Sequence, residues 1–256
     1  LDRKIRYSHN NQDYSYTRKL DNVRHGGREH ELCIDVISPF HDYIDNPQML
    51  RSNSAYHPEV LFVVMPSDER LIADLIMYKR TEKYIRQNQS STQQGVTHRI
   101  LVEKGIQNQG RQAEIRLRIE ALLAKSLLLV NGVEIESTST EPKNRISTGF
   151  NELITQTYPH LRMLRGIEYK EENIASYLNL NQQGLHGSDA TVIVESEQEI
   201  LSFIQSNKST GVRTNLKGLI ERFERKPYGW SFPAVLCNLA LLCARGKVEL
   251  RIDGNL

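Results

Sequence analysis

An uninterrupted apolar run, Val60-Leu-Phe-Val-Val-Met65, closes on Pro66, and no other feature narrows the fold of this chain so much. A short run of that kind, bounded by a turn signal, reads as a strand in the centre of a sheet. Ser67 and Asp68 then offer N-cap oxygens, and Leu71, Ile72, Leu75, Tyr78 and Ile85 keep one apolar helical face to about Gln89. Strand, turn and helix form one packed unit. Upstream, Leu32, Ile34 and Val36 alternate with Cys33, Asp35 and Ile37 in a second strand that Pro39 ends. Ile5/Tyr7 and Tyr14/Tyr16 flank Asn10-Asn11 as a hairpin. After the polar break from Asn88 to Gln94, Ile115, Ile119, Leu122, Leu123 and Leu129 recur at helical spacing, which predicts a long charged helix lying across the sheet. Asn131-Gly132, between two short apolar stretches, predicts a two-residue hairpin turn, because both central residues of that turn need positive φ.

The stretch Ser-Thr-Ser-Thr-Glu-Pro, residues 137–142, has the composition of a linker. It divides an α+β platform, residues 1–136, from a mostly helical domain, residues 143–256. In that domain Ser147 can cap a helix running to Thr157, before Tyr158-Pro159. A polar loop at 184–189 leads to a short strand, Thr191–Val194, and Ser196 with Glu199 has the spacing of a capping box. Apolar positions then mark three helices, through Ile200/Phe203/Ile204, Leu216/Leu219/Ile220/Phe223 and Val235/Leu236/Leu239/Leu242. A strand through Val248, Leu250 and Ile252 and a turn at Asp253-Gly254 complete a winged-helix-like end over 196–256.

Composition restricts function. The 33 basic residues nearly cancel the 31 acidic ones, so no whole-chain field draws the protein to nucleic acid or to a membrane surface. No apolar run approaches the roughly 20 residues of a membrane span. Cys33, Cys237 and Cys243 lack paired spacing and suit reduced thiols, which predicts a cytoplasmic setting. Leu1 in place of an initiating methionine, with no signal pattern after it, gives the expectation of a piece of something longer.

Chemistry-bearing motifs are scarce. Gly105-Ile-Gln-Asn-Gln-Gly110-Arg111-Gln112 has the glycine spacing of a phosphate-binding loop, but Arg111 and Gln112 stand where the lysine and the magnesium-binding hydroxyl belong. His25, His30, Cys33 and Asp35 lack the paired spacing of a metal site. The other histidines are dispersed, with no nucleophile in a recognisable turn beside them. The sequence therefore predicts no catalytic residue, cofactor or metal for this region.

Lys208, Arg213, Lys217, Arg222, Arg225, Lys226, Arg245, Lys247 and Arg251 face only Glu221, Glu224, Glu249 and Asp253 between 207 and 256. These cations are the candidate nucleic-acid contacts, able to hold phosphates without reading sequence. Against DNA reading, Ser231 to Ala244 offers only Ser231 and Asn238 as polar groups, whereas a recognition helix needs side chains that reach base edges. A helix so apolar packs on more than one side. Trp230, Phe232, Val235 and Leu239 are the candidate packing residues, against the rest of the protein or a partner.

The order of several stretches resembles the large P-loop ATPase of bacteriophage exclusion (BREX) systems, of the BrxC/PglY type. They are Val60-Leu-Phe-Val-Val-Met-Pro-Ser-Asp-Glu69, Tyr78-Lys-Arg-Thr-Glu-Lys-Tyr-Ile-Arg86, Leu129-Val-Asn-Gly132, Phe150-Asn-Glu-Leu-Ile154, Tyr158-Pro-His-Leu161, Lys226-Pro-Tyr-Gly-Trp230 and Gly246-Lys-Val-Glu-Leu250. The resemblance implies an internal region of a very large cytoplasmic ATPase in a multi-gene phage-defence system that methylates host DNA. The family's Walker motifs have no counterpart here, so ATP and magnesium are expected of the parent alone. The partners it implies are the parent's own ATPase core and other BREX components, with DNA as the competing partner of the basic C-terminal stretch.

Overall fold

The computed structural model describes residues 4–88, 95–179 and 193–251. Among these, no helix is long and apolar enough to cross a membrane. The chain forms two compact units, Leu1–Ile5 with Ser15–Leu153, and Arg6–Tyr14 with Ile154–Leu256. Strands β1 (Lys4–Arg6) and β2 (Asp13–Ser15) pair as the expected N-terminal hairpin, and its tip belongs to the second unit.

The first unit is built on a six-stranded sheet. Its strands are β3 (Thr17–Leu20), β4 (Val23–Arg24), β5 (Cys33–Ile37), β6 (Val60–Val64), β7 (Leu127–Val130) and β8 (Val133–Glu134), in the order β4-β3-β5-β6-β7-β8. The apolar run is central: β6 pairs parallel with β5 and antiparallel with β7, and every one of its residues is buried. Successive side chains point to opposite faces of a strand. Cys33, Ile37, Phe62, Val64 and Leu129 therefore share one face, where they pack with Leu50 of α1 (Pro47–Tyr56). Leu61 and Leu128 lie on the other face under α4 (Pro142–Thr157), where a Cβ on Gly149 would sit 2.9 Å from Leu61 Cδ1. Two helices thus cover the two faces of one sheet. Asn131 and Gly132 take φ of 50° and 76° in the β7–β8 turn, and the Gly132 N–H donates to Ser54 Oγ at 3.1 Å.

Helix α1 was not anticipated, although Asn46 caps it, accepting from the Met49 N–H, and Pro47 fills its first turn. Helix α4 begins at Pro142 rather than at a Ser147 cap, since proline suits a first helical turn. The polar stretch 137–142 read as a linker leads straight into α4, and the two compact units divide within that helix, after Leu153. Arg145 ties that stretch down, donating to the carbonyls of Ser137 (2.8 Å), Ser139 (3.2 Å) and Ser126 (2.7 Å).

The long charged helix does not lie across the sheet. Helix α2 (Glu69–Asn88) and α3 (Val96–Ala124) run antiparallel as a helical arm, with Asp68 pairing to Arg118 at the base and Asn108 donating to the Tyr78 carbonyl farther out. The cause is a heptad: Leu101, Asn108, Ile115 and Leu122 recur every seventh residue and are all buried. Met65, Leu71, Ile115 and Leu122 form the core at the arm's base. At 1.5 Å per residue, α3 reaches about 44 Å. The Leu71 N–H, with Arg118, holds the Asp68 carboxyl below its ordinary range. Gly105 and Gly110 lie inside α3, where an added Cβ meets nothing within 4 Å. Glycine costs about 1 kcal/mol relative to alanine in a helix interior. Gly105→Ala and Gly110→Ala should each raise the thermal midpoint followed by circular dichroism; a fall in either would mean that the space beside that glycine is needed.

The second unit holds α5 (Ile174–Leu178), α6 (Glu195–Ser209), α7 (Leu216–Glu224) and α8 (Phe232–Ala244). Ser196 does not cap α6, which begins one residue earlier; its hydroxyl donates instead to Asn238 Oδ1 at 2.7 Å, a buried bond to α8. Asn215 and Ser231 cap α7 and α8, accepting from the N–H groups of Gly218 and Ala234. Phe223 and Trp230 stack at 4.8 Å, and the indole N–H donates to the His160 carbonyl at 3.2 Å. The expected wing strand is not seen in the described part of the tail: Val248 to Arg251 belongs to no helix or strand, and 252–256 lie outside the described residues. A strand needs a hydrogen-bonded neighbour, and none of the described strands supplies one here. Thr191 and Val192 of the other expected strand also fall outside the described residues, while Ile193 and Val194 belong to no strand.

Candidate nucleic-acid and partner interface

The basic residues of the C-terminal stretch differ in what they touch. Lys208 lies in the last turn of α6, Arg213 lies in the loop after it, and both are exposed. Lys217, in the first turn of α7, lies 3.9 Å from Glu221. The Arg222 guanidinium sits over the Tyr228 ring at 5.3 Å from its centroid. Arg225 and Lys226 are exposed at the end of α7, and Lys247 beyond α8. Arg251 lies 3.4 Å from Glu249.

Arg245 has a different role. Its Nε lies 3.0 Å from Glu197 Oε2, and the two side chains are 19% and 1% exposed. Burial pushes the Glu197 carboxyl above its ordinary range, with the Arg245 charge opposing that rise. The guanidinium is therefore turned mostly inward, toward a buried carboxylate, with only a minor part of it reaching solvent. Nothing local in the sequence announces this pairing, since Glu197 lies in the first turn of α6 and Arg245 just past the end of α8. Glu199 likewise accepts from the Tyr228 hydroxyl at 2.6 Å, a contact that residue spacing does not reveal.

Helix α8 stands where a winged helix presents side chains to a groove. Here Val235, Cys237, Asn238, Leu239, Ala240 and Leu242 are all buried. Besides α6 and α7, helix α5 packs on it, and Cys237 Sγ reaches the Lys170 carbonyl at 3.6 Å. Of the candidate packing residues, Trp230, Val235 and Leu239 fill this unit's own core, and Phe232, 39% exposed, retains an outward surface. Residues 105–112 are helical throughout, so their backbone N–H groups serve the helix rather than a phosphate cradle. His25 and His30 are exposed beside buried Cys33 and Asp35, and among the described residues no three such side chains converge as a metal set would.

The family model of the BREX ATP-binding protein BrxC 4th domain with six-stranded beta sheet matches residues 1–153. The chain belongs to the BrxC family. The model of the BREX ATP-binding protein BrxC winged helix-turn-helix domain matches residues 162–256 of this BrxC-family chain. The sheet order and the α6-α7-α8 triad are the structural counterparts of the two descriptions. No solved structure matches the chain.

Proposed function

We propose that this region of a BrxC-family protein is a non-catalytic assembly element of a cytoplasmic phage-defence ATPase, organising contacts with the ATPase core and with other BREX components. The observation that carries this reading is the sealing of α8. A winged helix that covers its third helix with α5 has given up the surface through which such domains read bases. ATP and magnesium belong, in this reading, to the parent's nucleotide-binding core. The test is co-elution and cross-linking mass spectrometry of the 256-residue chain with the parent's ATPase core and with each companion BREX protein. Stable co-elution with cross-links to one of them is expected; a chain indifferent to all of them would overturn the reading.

A second reading is favoured by Lys208 in the last turn of α6, Arg213 in the loop after it and Arg225 just past α7, which remain exposed. They could hold duplex phosphates irrespective of sequence. Under that reading, affinity for a random duplex falls steeply with salt, and Lys208→Glu with Arg213→Glu and Arg225→Glu weakens every sequence alike. Absence of duplex binding at low salt would remove it.

A further inference from the structure

The loop between β4 and β5 gathers positive charge around a cavity. Lys4 of β1, Arg18 of β3, and Arg28 and His30 of the loop line a cleft of about 410 Å³ beside Gly26 and Gly27, wholly within the first unit. That volume falls in the range of small-molecule sites, roughly 300–1,000 Å³. Among the described residues no carboxylate lines it. Glu29 and Glu31 alternate with Arg28 and His30 along the chain and are exposed, but neither is part of the lining. Glu29 lies 3.7 Å from Arg24, and Asp13 lies 3.3 Å from Arg6. Among the described residues, Lys4, Arg18 and Arg28 make no ion pair.

The backbone holds these cations together. The buried Thr17 hydroxyl accepts from the His30 N–H at 2.7 Å and donates to the His30 carbonyl at 3.2 Å, while the His25 N–H donates to the Arg18 carbonyl at 2.9 Å. Both ends of the loop are thus fastened to β3. Between them Gly26 and Gly27 take φ of 60° and 75°, which glycine adopts without strain, and a Cβ on Gly27 would lie 4.0 Å from the Arg18 guanidinium. Like charges gathered this way repel one another, and a cleft walled by one sign of charge concentrates ions of the other. Two guanidinium groups suit phosphate oxygens, with which each can form paired hydrogen bonds. Three fixed cations outweigh the roughly 1.5 to 2 negative charges of a single phosphate group, so two such groups match them better.

We infer that this cleft binds the diphosphate group of a small phosphorylated ligand. Its concave shape favours a small molecule over a stiff duplex. The site goes beyond the assembly reading and rests on the first unit alone. A failure to co-elute with BREX components would leave it standing, and its own failure would leave those contacts open.

The probe is pyrophosphate, titrated calorimetrically into the whole 256-residue chain, with inorganic phosphate and a random-sequence duplex run in parallel at one ionic strength. Saturable one-to-one binding of pyrophosphate, tighter than that of phosphate, is expected. Lys4→Gln with Arg28→Gln should weaken it at least about tenfold, as should Arg18→Gln alone. Lys4 and Arg28 are exposed, so their replacement leaves the fold intact, which circular dichroism checks. Lys208→Gln with Arg213→Gln removes two charges in the other unit and should leave pyrophosphate binding unchanged. Five outcomes would each overturn the inference. They are no saturable binding of pyrophosphate, phosphate bound as tightly, unchanged affinity in the Lys4 and Arg28 double variant, an equal loss in the Lys208 and Arg213 variant, and a dependence on the cleft residues shown by the duplex alone.

Discussion

Replacing Arg245 by alanine is expected to cost the second unit about 3 kcal/mol, far more than removal of any exposed lysine or arginine in the same stretch. The reason is the partner left behind. Glu197 is 1% exposed, and without the guanidinium 3.0 Å away its carboxylate would be buried and uncompensated. The low end of the range for a broken buried pair applies because Arg245 itself reaches solvent. The pH dependence has a definite sign. Burial already raises the folded-state value above 4.5, and losing Arg245 raises it further. A native state that takes up the proton more readily than the unfolded chain gains stability as pH falls. The alanine variant should therefore recover part of its loss between neutral pH and the ordinary carboxylate value. Glu197→Leu with Arg245→Met, which removes both charges, should lie much nearer the parent. Trp230 is the only tryptophan, and it belongs to the second unit, so its fluorescence in a urea titration reports this unit specifically. A loss below about 0.5 kcal/mol would show the pair to be screened as surface pairs are, returning Arg245 to the candidate phosphate contacts.

Trp230→Ala should cost about 3–5 kcal/mol, the range for truncating a large buried aromatic side chain. The indole is 1% exposed, stacks on Phe223 at 4.8 Å, meets the Tyr228 ring edge-on at 5.4 Å and donates to the His160 carbonyl. Alanine removes all of these and leaves a cavity at the entry to α8. Phenylalanine keeps most of the volume but not the N–H, so Trp230→Phe should lose roughly half as much or less. Because the tryptophan signal disappears in these variants, hydrogen exchange of the α8 amides is the measurement. Their protection should collapse in the alanine variant and persist in the phenylalanine one. Equal protection in both would mean that the ring does not hold α8 in place.

Much of this architecture could be read from residues. A continuous apolar strand ended by proline, a cap at Asp68 and an Asn-Gly turn are local signals, and each appears where the sequence put it. The arm was hidden because its heptad carries Asn108, a polar residue that apolar periodicity passes over. In the structure that asparagine is satisfied, donating to the Tyr78 carbonyl at 3.2 Å and accepting from Arg111 at 2.9 Å. Strand β3 was missed for a related reason: Thr-Arg-Lys-Leu shows little apolar alternation, and its place comes from parallel pairing with β5. At the candidate interface, a count of charges exposed a basic stretch but not which cations are already engaged. That depends on Glu197, Tyr228, Glu221 and Glu249, and of these the Glu221 contact, one turn along its own helix, and the Glu249 contact, two residues from Arg251, were within reach of residue spacing.

Residues 6–14 are counted with the second unit although most of the chain around them is counted with the first. Tyr14 donates to the Gly229 carbonyl at 2.8 Å and stacks on Tyr158 at 5.7 Å, while Tyr7 bonds the Thr155 hydroxyl at 3.0 Å. The winged-helix half is therefore not portable as one continuous stretch of gene. A recombination event that exchanged residues 154–256 alone would deliver a module stripped of two tyrosines, with a tyrosine face and a carbonyl left bare. A gene fragment meant to carry this half with all of these contacts would need both pieces, 6–14 and 154–256.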